Sequence, residues 1–230
     1  MADRPRSDVD RAFFMSFQAP SFSDAEIMPI AESYRSLGSE GKEPLVICFF
    51  GTFVSQRAVD FETCIDGIQS LPRDVDVTLI MCGNGPRYEA TLARCERIDS
   101  IILPGRVSAK EMMAISSISD FGLLPYRPVS HFEFSIPNKI PEYLANGLPV
   151  ITSLTHGTVH EILKESDLGV FYESGNPESF VEALTACAEL KSKKVMPQKS
   201  NAAKSLYLKM FDDRKINCDF SRALENLGGH

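Results

Sequence analysis

The chain has 230 residues, a size that can bury a full core, and its acidic residues outnumber its basic ones. It carries 24 lysines and arginines against 31 aspartates and glutamates, for a formal net charge of -7, which argues against general affinity for nucleic acids. The hydrophobic fraction of 43% is that of a soluble globular protein, and no apolar run approaches the ~20 residues of a transmembrane segment.

Residues 1–43 differ in character from the rest of the chain. Their polar start has no apolar core of a signal peptide, so we expect a cytoplasmic protein, either free or peripheral at a membrane. One helix is predicted from about 24 to 37 with Ser23 as its N-cap, followed by a linker at 38–43. We interpret residues 1–43 as an N-terminal extension.

From residue 44 onward, short apolar runs alternate with amphipathic segments, which is typical of strand and helix units in a parallel sheet. Strands are predicted at 44–51, 76–82, 100–103, 121–124, 149–153 and 169–172. Helices are predicted at 59–70, 87–98, 109–118, 137–146, 159–165 and 177–190. The pattern predicts a doubly wound α/β domain over 44–190, Rossmann-like, with a parallel sheet of about six strands whose carboxyl ends share one ligand-binding edge.

The tail at 191–230 is predicted to form two helices, at 199–211 and 214–227, which pack on this domain. The chain has six cysteines without any Cys-x-x-Cys pair, and its histidines show no metal-ligand spacing. We therefore expect reduced thiols and no metal.

The first predicted strand ends in Gly51 and Thr52, and Arg57 follows before the next helix. A glycine at a strand end lets a ligand approach the backbone, and the forked donors of an arginine suit phosphate oxygens. Exposed arginines are also often only solvated. The residues leave both interpretations of Arg57 open.

The second strand leads into Gly-Asn-Gly-Pro, which begins at Gly83. Two glycines at a strand–helix junction are weak evidence for a ligand, because the turn itself requires unusual dihedral angles. A backbone-fit role is the favoured interpretation of Gly83.

The third strand leads into Gly105, Arg106 and Val107, followed by Ser108 and Glu111 in the arrangement of a capping box. An arginine in this place can stack on a planar ligand or face solvent, and the sequence leaves both open.

The most informative segment is 135–151, which runs a helix start, an acidic helical residue and a buried strand together. A helix beginning near Pro137 offers free N–H groups to an anion such as a diphosphate, and Lys139 adds charge there or is solvated. One turn later, Glu142 can accept hydrogen bonds from sugar or ribose hydroxyls, unless it is an ordinary exposed acid.

This segment resembles the nucleotide-sugar-binding segment of retaining glycosyltransferases of the GT-B fold, family 4. Their C-terminal, donor-binding domain carries Lys-x-x-Glu-Tyr-Leu-Ala-x-Gly-x-Pro-Val-Ile, and nearly every element stands in this chain. The resemblance implies one half of a GT-B fold and a nucleotide-diphosphate sugar as donor substrate. It also implies an acceptor glycan or lipid-linked sugar, as in polysaccharide biosynthesis, with no metal and no other cofactor.

The resemblance also assigns roles to single residues. Glu142 matches the glutamate that contacts the nucleotide ribose, whereas the position of the family's sugar-contacting glutamate falls on Phe134. Arg57 stands at the position of a lysine that grips the diphosphate, and Thr52 stands at that of an arginine. The stretch 105–107 matches one that holds the nucleotide base through backbone groups.

The resemblance therefore makes Arg57, Lys139 and Glu142 the predicted catalytic residues. Arg57 and the helix start near Pro137 are expected to stabilise the departing nucleoside diphosphate, where Lys139 adds charge, while Glu142 fixes the ribose. The predicted donor-binding residues are Gly51, Thr52, Gly83, Gly105, Arg106, Val107, Ser135, Ile136, Pro137 and Asn138.

Members of the resembled family place the acceptor site in a first Rossmann-like domain, and residues 1–43 are far below the ~100 residues such a domain takes. We expect a fragment, a split enzyme with a separate acceptor domain or subunit, or a remnant. A non-catalytic module that binds a nucleotide sugar is the alternative from another functional class, and a sugar-nucleotide epimerase is a third.

Overall fold

The structure is a computed structural model that describes residues 22–37, 43–55 and 57–211. Residues 38–42 of the predicted linker and the predicted helix at 214–227 lie outside the described residues.

The described residues form six strands and nine helices. The strands are β1 (Leu45–Thr52), β2 (Val77–Asn84), β3 (Ile101–Gly105), β4 (Phe121–Leu124), β5 (Val150–Thr152) and β6 (Gly169–Phe171). The helices are α1 (Asp24–Arg35), α2 (Phe61–Gln69), α3 (Tyr88–Cys95), α4 (Ala109–Ile118), α5 (Ser130–Glu133), α6 (Lys139–Ala145), α7 (Gly157–Glu165), α8 (Pro177–Ser192) and α9 (Met196–Phe211).

All six strands are parallel and lie in the order β3-β2-β1-β4-β5-β6. The chain therefore moves outward from β1 to β3 and then returns to place β4 on the other side of β1. In such sheets, the crevice at the carboxyl ends of the two central strands is where ligands bind. The predicted fold class, a doubly wound α/β sheet of about six strands, is confirmed.

Each central strand is buried on both faces because helices cover both sides of the sheet. In β1, Ile47 and Phe49 face the core layer under α2 and α8, whereas Cys48 and Phe50 face the layer under α4 and α6. All five described cysteines are buried free thiols: Cys48, Cys64, Cys82, Cys95 and Cys187. Burial raises the pKa of Cys48 to about 12, and it raises the pKa of the other four thiols as well.

Helices outside the repeating units pack on this domain at two places. At the N-terminal side, α1 begins in a capping box between Ser23 and Glu26, and Lys110 of α4 reaches Glu26 at 3.1 Å. At the C-terminal side, α9 packs against α6 and buries Ala203 and Phe211. Its start at Met196 lies before the predicted residue 199.

Tyr143 joins α6 to both central strands. Its ring lies on Gly122 of β4, where a Cβ atom would come within 2.5 Å of the ring. Its hydroxyl accepts a hydrogen bond from Phe50 N at 3.3 Å and donates one to Leu123 O at 2.9 Å. This residue therefore fixes where α6 sits on the sheet.

Replacing Tyr143 with phenylalanine should lower the free energy of unfolding by about 1–3 kcal/mol, because buried backbone groups lose a partner. Urea denaturation followed by circular dichroism measures the change. The control is Tyr34→Phe, since the Tyr34 hydroxyl makes no hydrogen bond to the part of the chain that the structure describes. Equal losses in both variants would contradict a role for the Tyr143 hydrogen bonds.

Candidate functional site

The loops that leave β1 and β4 are joined at the ligand-binding edge. We call residues 53–55 and 57–60 the β1 arm and residues 125–134 the β4 arm. Val59 and Tyr126 form an antiparallel bridge between them. Asp60 N donates to Pro125 O at 2.8 Å, and Arg127 N donates to Ala58 O at 3.0 Å. The two arms therefore form one unit across the switch point of the sheet.

Arg57 lies on the β1 arm with its side chain exposed to solvent. The turn that presents it is closed by hydrogen bonds from Ala58 N and Val59 N to Ser55 O, at 3.0 and 3.3 Å. No acid in residues 22–37, 43–55 and 57–211 forms an ion pair with Arg57. The predicted cation is therefore available to an anionic ligand.

Lys139 and Glu142 lie together on α6 and pair with each other. Lys139 Nζ is 2.5 Å from Glu142 Oε2, and the side chains are 21% and 15% exposed. Glu142 is thus a largely covered residue rather than an ordinary exposed acid. Burial raises the pKa of Tyr126 on the β4 arm, and the negative charge of Glu142 raises it further.

The start of α6 differs from the prediction, which placed the first helical turn at Pro137. The helix has seven residues and begins at Lys139, with Asn138 as its N-cap. Pro137 stands before it and accepts a hydrogen bond from Ile140 N at 3.0 Å. A three-residue spacing of this kind is a tighter entry turn, so the regular helix begins later than the proline suggested.

The other residues predicted around this start lie in that entry turn. Ser135 and Ile136 are half-buried, and Ser135 Oγ donates to His131 O at 2.5 Å. Phe134, which precedes them, is 78% exposed. The predicted loop before α6 also contains the short helix α5, whose end at Glu133 contacts Gly157 at the start of α7.

At the ends of β1 and β2, the glycines serve close backbone packing. Gly83 has φ +147°, and a Cβ atom there would lie 1.7 Å from Gly51 O. Gly51 in turn leaves room for the Phe49 ring, which a Cβ atom would meet at 2.4 Å. These contacts support the backbone-fit interpretation of Gly83, while Thr52 ends β1 exposed at the edge.

At the end of β3, Gly105 has φ +80°, a conformation that glycine adopts readily. Arg106 is exposed, and Val107 packs against the core layer under α4. The predicted capping box of α4 is present, with Glu111 N donating to Ser108 Oγ and Ser108 N donating to Glu111 Oε2. The structure brings these residues to the same edge as the β1 arm, and the choice between base stacking and solvent for Arg106 stays a prediction.

Sequence reasoning missed Asp60, which ends the β1 arm and is 0% exposed. Its carboxylate accepts hydrogen bonds from Thr63, from Ser174 Oγ at 2.6 Å, from Gly175 N at 2.8 Å and from Arg127 Nη2 at 3.0 Å. Burial raises the pKa of Asp60, but the hydrogen bonds from Ser174 and Thr63 and the charge of Arg127 outweigh it and hold that pKa below its usual range. The available signal was an aspartate three residues before a threonine at a helix start.

Within the described ranges, no group of three or more histidine, cysteine, aspartate or glutamate side chains is arranged to hold a metal ion. In the same ranges, no helix is both long enough and apolar enough to cross a membrane.

The sheet order defines a doubly wound α/β domain, and the joined arms place charged residues at the edge where such sheets commonly bind ligands. Residues 44–189 match the profile of the family described as glycosyl transferases group 1. The chain belongs to this family, which confirms the resemblance seen in segment 135–151. No curated protein sequence matches the chain.

Several solved glycosyltransferase structures share the fold. Anabaena HepE in complex with UDP superposes with a TM-score of 0.66 at 16% identity, covering 91% of this chain and 54% of HepE. A glycosyltransferase from Rickettsia africae gives 0.67 at 16% identity, covering 91% and 54%. Sucrose-phosphate synthase from Thermosynechococcus elongatus gives 0.65 at 16% identity, covering 86% and 48%. The chain spans about half the length of these proteins.

Proposed function

We propose that this chain is the donor-binding half of a retaining glycosyltransferase, which binds a nucleotide-diphosphate sugar and holds the nucleoside diphosphate as the glycosyl group leaves. The observation that carries the proposal is an exposed cation, Arg57, on the β1 arm, which is bridged to the β4 arm that leads to the Lys139–Glu142 pair. HepE, which shares the fold, has been solved with UDP and with UDP-glucose.

The charges at this edge suit a leaving group that gains negative charge. Arg57 and Lys139 supply donors to the diphosphate oxygens, and a fixed cation stabilises developing charge without reorganisation. When the diphosphate takes Lys139, Glu142 is released from its ion pair and accepts hydrogen bonds from the ribose hydroxyls. In this scheme the donor site exchanges an internal ion pair for two ligand contacts.

Transfer also requires an acceptor, and this chain spans about half the length of its structural neighbours. We propose that a separate acceptor domain or subunit faces this edge and binds the acceptor, a glycan or a lipid-linked sugar. The proposed process is polysaccharide biosynthesis. The protein would act in the cytoplasm, either free or at the membrane surface. The chain alone is then expected to bind donor better than it transfers it.

A non-catalytic module that binds a nucleotide sugar is the second candidate. It is favoured by Phe134, exposed at the position of the family's sugar-contacting glutamate, and by Thr52 at that of a diphosphate-binding arginine. Slow hydrolysis of UDP-glucose by the purified chain would favour the enzyme. Binding without hydrolysis, also after a candidate acceptor domain is added, would favour the module.

Replacing Arg57 with alanine should weaken UDP-glucose binding about 10- to 100-fold, because a hydrogen bond to a charged group contributes about 1.5–3 kcal/mol. Calorimetric titration measures the affinity, with GDP-glucose as a second probe. The control is Arg94→Ala, since Arg94 is an exposed arginine in the last turn of α3 that pairs with Asp66. If neither nucleotide sugar binds the unmodified chain at millimolar concentration, both functional candidates are lost.

A further inference from the structure

The carboxylate of Asp60 joins three loops at the ligand-binding edge. Its partners come from α2 (Thr63), from the β4 arm (Arg127) and from the loop after β6 (Ser174 and Gly175). We call Asp60 and these four partners the Asp60 clasp. Because Asp60 lies at the end of the β1 arm, the clasp connects the ends of β1, β4 and β6.

The clasp exceeds what capping α2 requires. An N-cap side chain needs one oxygen to accept from the first turn, and Asp60 Oδ1 does so from Thr63 N at 3.4 Å. The same oxygen also accepts from Arg127, and Oδ2 accepts from Thr63 Oγ1, Ser174 Oγ and Gly175 N at 2.6 to 2.8 Å. Three of these contacts, from Arg127, Ser174 and Gly175, run between loops, and they favour a role in holding the arms.

Within the clasp, Arg127 grips the β1 arm at two points. Its guanidinium lies 3.0 Å from Asp60 Oδ1, and its backbone N–H donates to Ala58 O, the residue after Arg57. The Val59–Tyr126 bridge lies between these two contacts, and the β4 arm continues through α5 to α6, which carries Glu142. Arg127 thus connects the segment that carries Arg57 to the arm that leads to Glu142.

We propose that Arg127 is a positioning residue, which fixes the β1 arm so that Arg57 meets the donor diphosphate at a set distance from Glu142. The inference rests on the proposed function of this edge as a donor site. A preorganised arm reduces the ordering cost of binding, so losing the clasp weakens binding even though Arg57 itself is unchanged.

The test compares Arg127→Gln with Arg94→Gln, which removes the same charge from an exposed Arg–Asp pair between α2 and α3. UDP-glucose affinity is measured by calorimetry, and amide hydrogen exchange is measured for residues 53–60 and, as an internal reference, for α9. For Arg127→Gln we expect about tenfold weaker binding, in the range of one charge-assisted hydrogen bond. We also expect faster exchange in the β1 arm with α9 unchanged, and Arg127→Lys should recover part of the affinity.

A double variant separates positioning from direct ligand contact. If Arg127 acts through Arg57, then Arg57→Ala with Arg127→Gln binds no more weakly than Arg57→Ala alone. Additive losses would show that Arg127 touches the ligand itself and would overturn the inference. If Arg127→Gln fails to fold, Ser174→Ala, which removes one hydrogen bond from the clasp, is compared in the same way.

The other outcomes show whether the positioning role of Arg127 fails alone or together with the proposed binding of a nucleotide sugar. If the unmodified chain binds UDP-glucose but Arg127→Gln neither weakens binding nor speeds exchange in the β1 arm, the clasp does not position the arm. Faster exchange with unchanged affinity would make Arg127 a structural residue only. If the unmodified chain binds no nucleotide sugar, the proposed function fails and the positioning role falls with it, while the exchange data still show whether Arg127 holds the arm.

Discussion

Replacing Gly83 with alanine is expected to lower the free energy of unfolding by more than about 4 kcal/mol, a loss that only a few mechanisms produce. The added Cβ atom would lie 1.7 Å from Gly51 O and 2.9 Å from Gly51 C, both of them backbone atoms that cannot rotate away. Gly51 and Gly83 are register partners in β1 and β2, so the clash would separate the strands at the ligand-binding edge. Urea denaturation followed by circular dichroism measures the loss.

Gly175→Ala is the matched control for this substitution. Gly175 also has a positive φ, +82°, but a Cβ atom there would meet nothing within 4 Å. Its cost should be the backbone strain alone, about 1–2 kcal/mol. Similar losses at the two positions would show that strain, rather than the contact with Gly51, sets the requirement for glycine at position 83.

Replacing Glu142 with glutamine is expected to weaken UDP-glucose binding about 10- to 100-fold, because ribose hydroxyls lose a charged acceptor. The fold should hold, because glutamine keeps the shape of the side chain and its carbonyl oxygen can still accept a hydrogen bond from Lys139 Nζ. Calorimetric titration measures the affinity, and thermal unfolding without ligand verifies the fold.

Glu165→Gln is the control, because Glu165 is an exposed acid at the far end of α7. It makes the same change of charge away from the proposed donor edge, so its affinity should equal that of the unmodified chain. An unchanged affinity in Glu142→Gln would contradict the ribose role and would leave Glu142 as a partner of Lys139 alone.

The strands could be predicted closely from the sequence because each is a short apolar run between polar segments. Phe121–Leu124 matches its predicted bounds, and the other strands differ by a residue or two at their ends. The start of α6 could not be predicted in the same way. Pro137 is a common first helical residue, but here it closes an entry turn through Ile140 N, and this choice depends on hydrogen bonds that no local pattern encodes.

The same difference between local and distant contacts decides which parts of the candidate site could be predicted. The Lys139–Glu142 pair lies within one helical turn, so segment 135–151 could indicate it. The Asp60 clasp could not be predicted, because Asp60 and Ser174 are 114 residues apart and meet only when β1 and β6 are placed in one sheet. Local sequence indicates side chains that act with near neighbours, whereas contacts between distant loops follow from topology.

The buried thiols have a practical consequence for studying how this molecule opens. Cys48 and Cys82 lie in the layer under α4 and α6, whereas Cys64, Cys95 and Cys187 lie in the layer under α2 and α8. Thiol reagents attack the thiolate, and burial both raises the pKa of these groups and denies access to them. Modification of each of these cysteines therefore requires its layer to open. The rates of thiol modification on the two faces of the sheet thus report local unfolding of each face separately.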